Sequence, residues 1–259
     1  FASANLPAPP DAWDHANYLD VWDGARGYDA AQAAAFAGGL RRVLAGETSQ
    51  FEMEYPCHAP PRQRWFMARV SPLRVGRRRG AVVAHEDITS RVSVERALRD
   101  LLAGAAAAAG GESFLRDLAR SLAGSLDAQY AFVGQLLPGR SRVRTVAVWA
   151  GSGFAENFEY DLAGTPCEQV VGRTLCVFPD HVQSLFPSDQ MLREMGAECY
   201  AGVPLSDSAG QPLGLLACLG VAPVTSAAII DSVLPIFAAR AEAELERMRD
   251  EGALQASRE

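Results

Sequence analysis

The chain has 259 residues, of which 49% are hydrophobic, and its formal net charge is −7 at pH 7. This length accommodates about one to two domains with packed cores, and the acidic balance argues against nucleic-acid binding, which requires a clustered basic face. No apolar run approaches the roughly 20 residues that a membrane-spanning helix needs. The five cysteines form no Cys-x-x-Cys pair, which argues against framework disulfides and a metal cluster and favours a reducing, cytoplasmic setting.

The amino-terminal third predicts a helix followed by a three-stranded meander. Helix propensity and apolar spacing place the helix over residues 28–44. From Phe51 to Cys57 apolar residues recur at every second position, which is typical of a half-buried strand. Further strands are predicted over 65–70 and 80–85, and the basic run 77–79 is predicted to lie at the solvated turn between them.

The third strand ends in the sequence Glu86-Asp87-Ile88-Thr89-Ser90-Arg91. A meander that closes in Asp-Ile-Thr and leads at once into a helix resembles the end of a PAS domain, where this motif joins the sheet to the outgoing helix. The segments 54–58 and 63–66 are similar to a PAS subgroup found in sensor kinases. The resemblance implies a PAS-like domain over residues 1–91 whose first two strands are missing or lie upstream of Phe1.

Three residues of this motif are candidates for signal relay. Asp87 and Thr89 supply a short carboxylate and a hydroxyl, and at a strand-to-helix corner such groups can bond the free amides. They would thereby couple the sheet mechanically to the helix. Arg91, two residues further on, is the third candidate.

Apolar residues at heptad spacing follow each predicted domain. The helical linker over 92–112 carries one stripe, and the segment from Leu234 to Met248 carries another, which predicts a parallel homodimer held along helical rods. The predicted seam residues are Leu98, Leu101, Ala241, Leu245 and Met248. The alternative is that each stripe packs on its own domain. Pro235 is expected to kink or restart the second helix.

The rest of the chain predicts a second domain of mixed helices and strands. The predicted elements are a helix over 113–126, strands over 129–137 and 143–150, a short helix from Thr165, further short helices over 180–195, and a hairpin of 200–205 and 212–219. Thr165 and Glu168 flank Pro166 in the pattern of a capping box, which predicts that a helix begins there.

A second resemblance is carried by the segments 164–168, 200–205, 207–210 and 237–247. Together with the order of elements, they resemble a GAF domain over residues 113–247. The two resemblances imply an α+β chain in which PAS-like and GAF-like antiparallel sheets, flanked by helices, are joined by a helical linker. They also imply an outgoing signalling helix over 248–259 that leads to an output domain beyond Glu259.

In GAF proteins an irregular insertion closes a pocket over the sheet, so the resemblance implies a small-molecule site there. The candidate pocket residues are Trp149, Cys167, Cys176, Phe178, His181 and Tyr200. Cys167 is placed at a helix start, where the helix dipole lowers a thiol pKa. It is interpreted as a redox or electrophile sensor or a tetrapyrrole attachment point, or alternatively as an inert, half-buried cysteine. No motif requires a cofactor.

No catalytic residue is predicted, because the chain lacks the Gly-x-x-x-x-Gly-Lys, His-Glu-x-x-His and Gly-x-Ser-x-Gly motifs and the boxes of kinases and cyclases. The predicted function is a sensory input module of a bacterial histidine kinase or diguanylate cyclase, which relays a ligand or upstream state through helices. One alternative is a redox enzyme of the free methionine sulfoxide reductase kind, suggested by Cys167 and Cys176. The other is a ligand-free dimerisation spacer.

Overall fold

The computed structural model describes residues 18–24, 30–57, 64–107, 110–224 and 227–256. It divides the chain into two compact units, 1–92 and 93–259. Each unit has its own antiparallel sheet with helices packed against it. The chain is therefore α+β, as the sequence predicts.

The first unit contains the predicted meander. Its elements are the helices α1 (Tyr18–Asp23) and α2 (Ala30–Ala45) and the strands β1 (Phe51–Pro56), β2 (Trp65–Val75) and β3 (Arg78–Asp87). The described strands of this unit pair in the order β1-β2-β3. Helix α3 (Thr89–Ala107) begins directly after β3.

The core of the first unit lies between α2 and one face of this sheet. Phe36, Leu40 and Val43 are buried at helical spacing on α2. They belong to one cluster with Ala68 and Val70, which are alternate residues of β2. The buried faces therefore follow the two periods that the sequence displays.

The connection between β2 and β3 is a two-residue turn at Gly76 and Arg77. Gly76 has a φ of 62°, a left-handed conformation that glycine adopts without the steric penalty of a side chain. Arg77, Arg78 and Arg79 are exposed. The basic run thus lies at a solvated strand turn, as predicted.

The second unit alternates helices and strands along the chain. It begins with α4 (Glu112–Leu126), β4 (Tyr130–Leu136), β5 (Arg142–Ala150), β6 (Gly153–Phe154) and β7 (Glu159–Asp161). An irregular segment follows, with α5 (Pro166–Val170), β8 (Cys176–Phe178), α6 (Val182–Leu185) and α7 (Gln190–Glu194). The unit closes with β9 (Cys199–Ser206), β10 (Pro212–Gly220) and α8 (Ala227–Ala256).

The sheet of the second unit separates two hydrophobic clusters. Its described strands pair in the order β6-β5-β4-β10-β9-β8, and β7 pairs with β5. On one face, α4 and α8 contribute Leu115 and Phe237 to the helical-side cluster. On the other, the irregular segment contributes Cys167 and Val182 to the insertion-side cluster, which also contains Tyr200 of β9.

Helix α8 continues through Pro235, which lies inside it. The expected restart of the helix at this residue is therefore not observed. Proline has no backbone N–H, so it cannot donate to the carbonyl of Asp231 one turn earlier. Leu234 and Phe237, on either side of the proline, are fully buried, and this packing holds the helix on the sheet despite the missing hydrogen bond.

Candidate functional site

Asp87 and Thr89 form a hydrogen-bonded joint between the sheet and α3 in the first unit. The Asp87 carboxylate accepts the backbone N–H of Thr89 at 2.9 Å and the Thr89 hydroxyl at 2.5 Å. The Thr89 hydroxyl in turn accepts the N–H of Trp65 at 3.0 Å, and the Trp65 carbonyl accepts the N–H of Ile88 at 2.9 Å. The first residue of β2 and the last residue of β3 are thus both bonded to the first turn of the helix.

Arg91 connects this joint to β1, the remaining strand of the sheet. Its guanidinium lies 2.5 Å from the Glu54 carboxylate of β1, and both side chains are exposed. An exposed pair of this kind contributes little stability, about 0–1 kcal/mol. Its effect is positional, because it adds β1 to the strands that contact the start of α3.

Cys167 occupies a buried polar centre in the second unit. It is 4% exposed, and the hydroxyls of Tyr160 and Tyr200 each donate to its sulfur at 3.3 Å. Burial raises the pKa of the Cys167 thiol, and the two hydroxyl donors offset only part of that rise. The pKa of each tyrosine is likewise raised well above 10, mainly by burial.

The lowered pKa expected for Cys167 from the helix dipole is therefore wrong. Helix α5 has five residues, so its dipole is small, whereas removal of a thiolate from water costs several kcal/mol. The neutral thiol is the stable form at neutral pH. An inert, buried cysteine is the interpretation that this geometry favours.

The loop before α5 uses the predicted capping residues differently from a capping box. The helix begins at Pro166 after Thr165, as predicted. The Thr165 hydroxyl donates back to the Leu162 carbonyl at 2.7 Å, and the Glu168 carboxylate accepts the N–H of Gly164 at 2.9 Å. These bonds close the loop that carries Cys167 and leave the N-cap position without a side-chain hydrogen bond.

The predicted pocket side of the sheet is occupied by the protein's own side chains. Cys167 and Tyr200 pack with Phe132 and Leu215 in the insertion-side cluster. The ring of Phe178, which packs against the same cluster, lies 6.1 Å from that of Tyr200. Four predicted pocket residues, Cys167, Cys176, Phe178 and Tyr200, are therefore brought together, but by packing in one hydrophobic cluster.

Two of the predicted pocket residues, Trp149 and His181, have different surroundings, whereas Cys176 lies at the edge of the insertion-side cluster. Trp149 packs on the helical-side cluster, so it lies on the opposite face of the sheet. The side chain of His181 is 74% exposed, and its Nδ1 lies 2.7 Å from the Glu198 carboxylate. The Cys176 thiol is half-buried and donates to the Gln169 carbonyl at 3.3 Å. Trp149 was therefore wrongly placed in the pocket, because sequence spacing does not fix the face of a bulged strand. The assignment of His181 to the pocket stays a prediction.

Comparison with known families identifies both halves. The family profile described as PAS fold matches residues 11–93, and that of the GAF domain matches residues 111–232. The chain is a PAS domain followed by a GAF domain. The first unit contains the PAS match up to Val92, and the GAF match runs from the start of α4 into α8.

Individual proteins match parts of this chain. An uncharacterized 104.1 kDa protein from the hypE 3′ region of Rhodobacter capsulatus is 45% identical over 74 residues, which is 28% of this chain and 8% of that protein. The photosensory core module of a Stigmatella aurantiaca phytochrome has 13% identity and a TM-score of 0.47, over 84% of this chain and 49% of that one. The GAF domain of an Acinetobacter phosphoenolpyruvate-protein phosphotransferase has 12% identity and a TM-score of 0.47, over 63% and 97%. The chain thus spans a small part of its curated relative.

Helix α8 of the GAF domain is anchored to the β9–β10 hairpin by charged side chains that sequence analysis missed. The Glu242 carboxylate accepts the N–H of Ser206 at 2.8 Å. One turn later, Glu246 accepts the N–H of Ser208 at 3.2 Å. Arg249 lies 2.6 Å from Asp207, whose side chain is only 7% exposed.

A further carboxylate of α8 anchors the start of α4. Glu244 accepts the backbone N–H of Gly111 and also contacts Arg247. These bonds lower the pKa of Glu244, with the Arg247 contact as the largest cause. In the sequence, these anchoring contacts are indicated only by the alternating glutamates from 242 to 246 and by the Asp-Ser turn. The same alternation equally suits the charged surface of an exposed dimeric helix.

The residues predicted for the carboxyl-terminal dimer seam are corrected by the structure. Ala241 and Leu245 are 0% and 2% exposed within the GAF core, and Met248 packs against the same cluster. The seam assignment fails because the same four-three spacing also describes a helix lying on its own sheet. Leu98 is 44% exposed, whereas the side chain of Leu101 lies outside the described residues.

Within the described ranges, no helix is both long and apolar enough to cross a membrane. Among those same residues, no group of three or more His, Cys, Asp or Glu side chains has an arrangement that could hold a metal ion.

Proposed function

We propose that this chain is the input module of a bacterial signal-transduction protein and that it passes the state of its sensory domains, through α3 and α8, to an output domain beyond Glu259. PAS and GAF domains are sensory regulatory modules, and the Asp87–Thr89 joint carries the proposal. Because β2, β3 and the first turn of α3 share one hydrogen-bond network, a shift of these strands displaces the helix. The proposed output domain is of the histidine kinase or diguanylate cyclase kind. The five free thiols support a cytoplasmic location, because disulfides are rare in that reducing compartment.

A fusion of residues 1–259 to a histidine kinase core tests this relay. Thr89→Val keeps the shape of the side chain but removes the hydroxyl that accepts the Trp65 N–H. Loss of a hydrogen bond of about 1 kcal/mol would change the basal phosphorylation rate of the fusion by about fivefold. Ser90→Ala, at the next position, is the matched control and should leave that rate unchanged. An unchanged rate in Thr89→Val, with both variants folded, would contradict the proposal.

The GAF half has a second candidate role, as a relay without a ligand of its own. The observation that favours it is the packing of Tyr200, Phe178 and Cys167 where a ligand would lie against the sheet. Native mass spectrometry and an absorption spectrum of the purified chain test this role. A bound small molecule or a visible absorption band would contradict it.

The alternative of a sulfoxide reductase is disfavoured, because such chemistry requires an accessible thiolate and the Cys167 thiol is buried.

A further inference from the structure

The PAS domain has a cleft between the carboxyl-terminal end of α2 and the β2–β3 hairpin. Its volume is about 380 Å³, which is within the range of small-molecule sites. Arg74, Arg79, Thr48 and Ser49 are among the residues that line it. The cleft therefore combines two guanidinium groups with two hydroxyls.

The two arginines are directly opposite each other on neighbouring strands. Arg74 of β2 pairs with Arg79 of β3 in the strand register, and like charges in that position destabilise a strand pair. Neither makes an ion pair with a carboxylate in the part of the chain that the structure describes. Glu47 lies in the loop after α2 but does not line the cleft. The positive charge at the cleft is thus uncompensated, in a chain whose net charge is −7.

The backbone at the end of α2 holds one of these arginines in place. Arg79 Nη1 donates to the Ala45 carbonyl at 3.1 Å. Gly46 has a φ of 81°, and a side chain there would bring a Cβ within 3.1 Å of the same nitrogen. The glycine therefore lets the guanidinium approach the helix end, and the contact leaves the remaining donors of Arg79 free to bind a ligand.

Thr48 and two apolar residues also line the cleft. The Thr48 hydroxyl makes no hydrogen bond to any described residue, although buried polar groups are usually paired. Val43 and Pro72 line the cleft with apolar atoms. A ligand with oxygens at one end and a short carbon chain would contact both kinds of surface.

We propose that this cleft binds a compact oxyanion with two negative charges, a phosphate or a dicarboxylate, between Arg74 and Arg79. Guanidinium groups bind such oxygens in a bidentate manner, and the contacts are stronger than neutral hydrogen bonds. A bound dianion would also remove the repulsion between the opposed arginines. This site is separate from the Asp87–Thr89 joint, and it does not rest on the proposed relay.

A nuclear magnetic resonance titration of the complete chain tests the site. Inorganic phosphate and succinate are the two probes, each added at constant ionic strength maintained with chloride. We expect saturable shifts of the backbone amides over 46–49 and 73–80 with at least one probe. Shifts with one probe only would assign the ligand to that class, whereas no saturable shift with either would overturn the proposal.

Matched variants on the same hairpin separate a specific site from general attraction to positive charge. Arg74→Gln should weaken binding at least about tenfold, since it removes one of the two guanidiniums. Arg77→Gln removes the same charge from the exposed turn outside the cleft and should change the affinity by less than about twofold. Equal weakening by the two variants would overturn the proposal. Arg79→Lys keeps the charge but loses the planar fork, and it should also weaken binding.

Discussion

The Cys167 thiol is shielded from water and accepts two tyrosine hydroxyls, so we expect it to be unreactive in the folded protein. Iodoacetamide should modify the half-buried Cys176 at least about tenfold faster than Cys167, because the thiolate is the reacting form and burial disfavours it. Peptide mass spectrometry at several reaction times measures both rates. In urea, where the environments are equal, the two rates should converge. Modification of Cys167 as fast as Cys176 in the folded chain would contradict its assignment as inert.

His85 gives the PAS domain a predicted dependence on pH. Its two ring nitrogens lie 2.6 Å from the Tyr18 hydroxyl and 2.8 Å from the Tyr55 hydroxyl. Burial lowers the pKa of His85 below its ordinary value of 6.5, so the folded state binds this proton less readily than the unfolded state. The stability that His85 contributes is therefore complete above 6.5 and is lost as pH falls through that value towards the folded pKa.

Urea unfolding of the PAS domain from about pH 7.5 to about pH 5 measures this effect. His85→Gln should reduce the loss of stability on the acidic side. His181→Gln is the control, because His181 lies in the GAF domain, and this variant should leave the unfolding transition of the PAS domain unchanged. Identical profiles for His85→Gln and the wild type would show that another group titrates.

At the scale of elements, the carboxylates of α8 determine how firmly the β9–β10 hairpin is held. Glu246→Gln removes the charge that accepts the Ser208 N–H, and a hydrogen bond to a charged group contributes about 1.5–3 kcal/mol. We expect hydrogen exchange at Ser208 to accelerate about tenfold or more. Exchange mass spectrometry with short peptides resolves this turn. Glu251→Gln is the control, since Glu251 contacts only Arg247 of the same helix among the described residues, and it should leave the turn unchanged.

The whole chain is predicted to be a homodimer, and this expectation now depends on α3. Leu98 is 44% exposed there, and an exposed leucine on a heptad stripe is typical of a helical interface. Leu98→Glu should shift sedimentation at tens of micromolar towards the monomer, with an unchanged circular dichroism spectrum. Leu245→Glu should instead unfold the GAF domain, because Leu245 is 2% exposed in its core. A monomeric wild-type chain under these conditions would contradict the dimer.

The sequence by itself determined the order of the longer helices and strands and the two domain families, whereas helix α1 and the short strands β6, β7 and β8 were not predicted. Period-two strands, the Asp-Ile-Thr corner and the helix start at Pro166 depend on residues near one another along the chain, and short-range sterics and hydrogen bonding decide them. For the same reason the Asp87–Thr89 contact could be predicted, because its two residues are separated by one position.

Only the tertiary structure decided which neighbours each helix face and each side chain contacts. The Leu245 stripe has a spacing that suits either a dimer seam or a domain core, and burial against its own sheet selects the core. The environment of Cys167 depends on Tyr200, which is 33 positions away in the chain, and no local pattern specifies a contact across that distance. Desolvation and the pairing of charges arise from the packed neighbours, so the pKa of Cys167 and the anchoring role of Glu246 became evident only once those neighbours were in place.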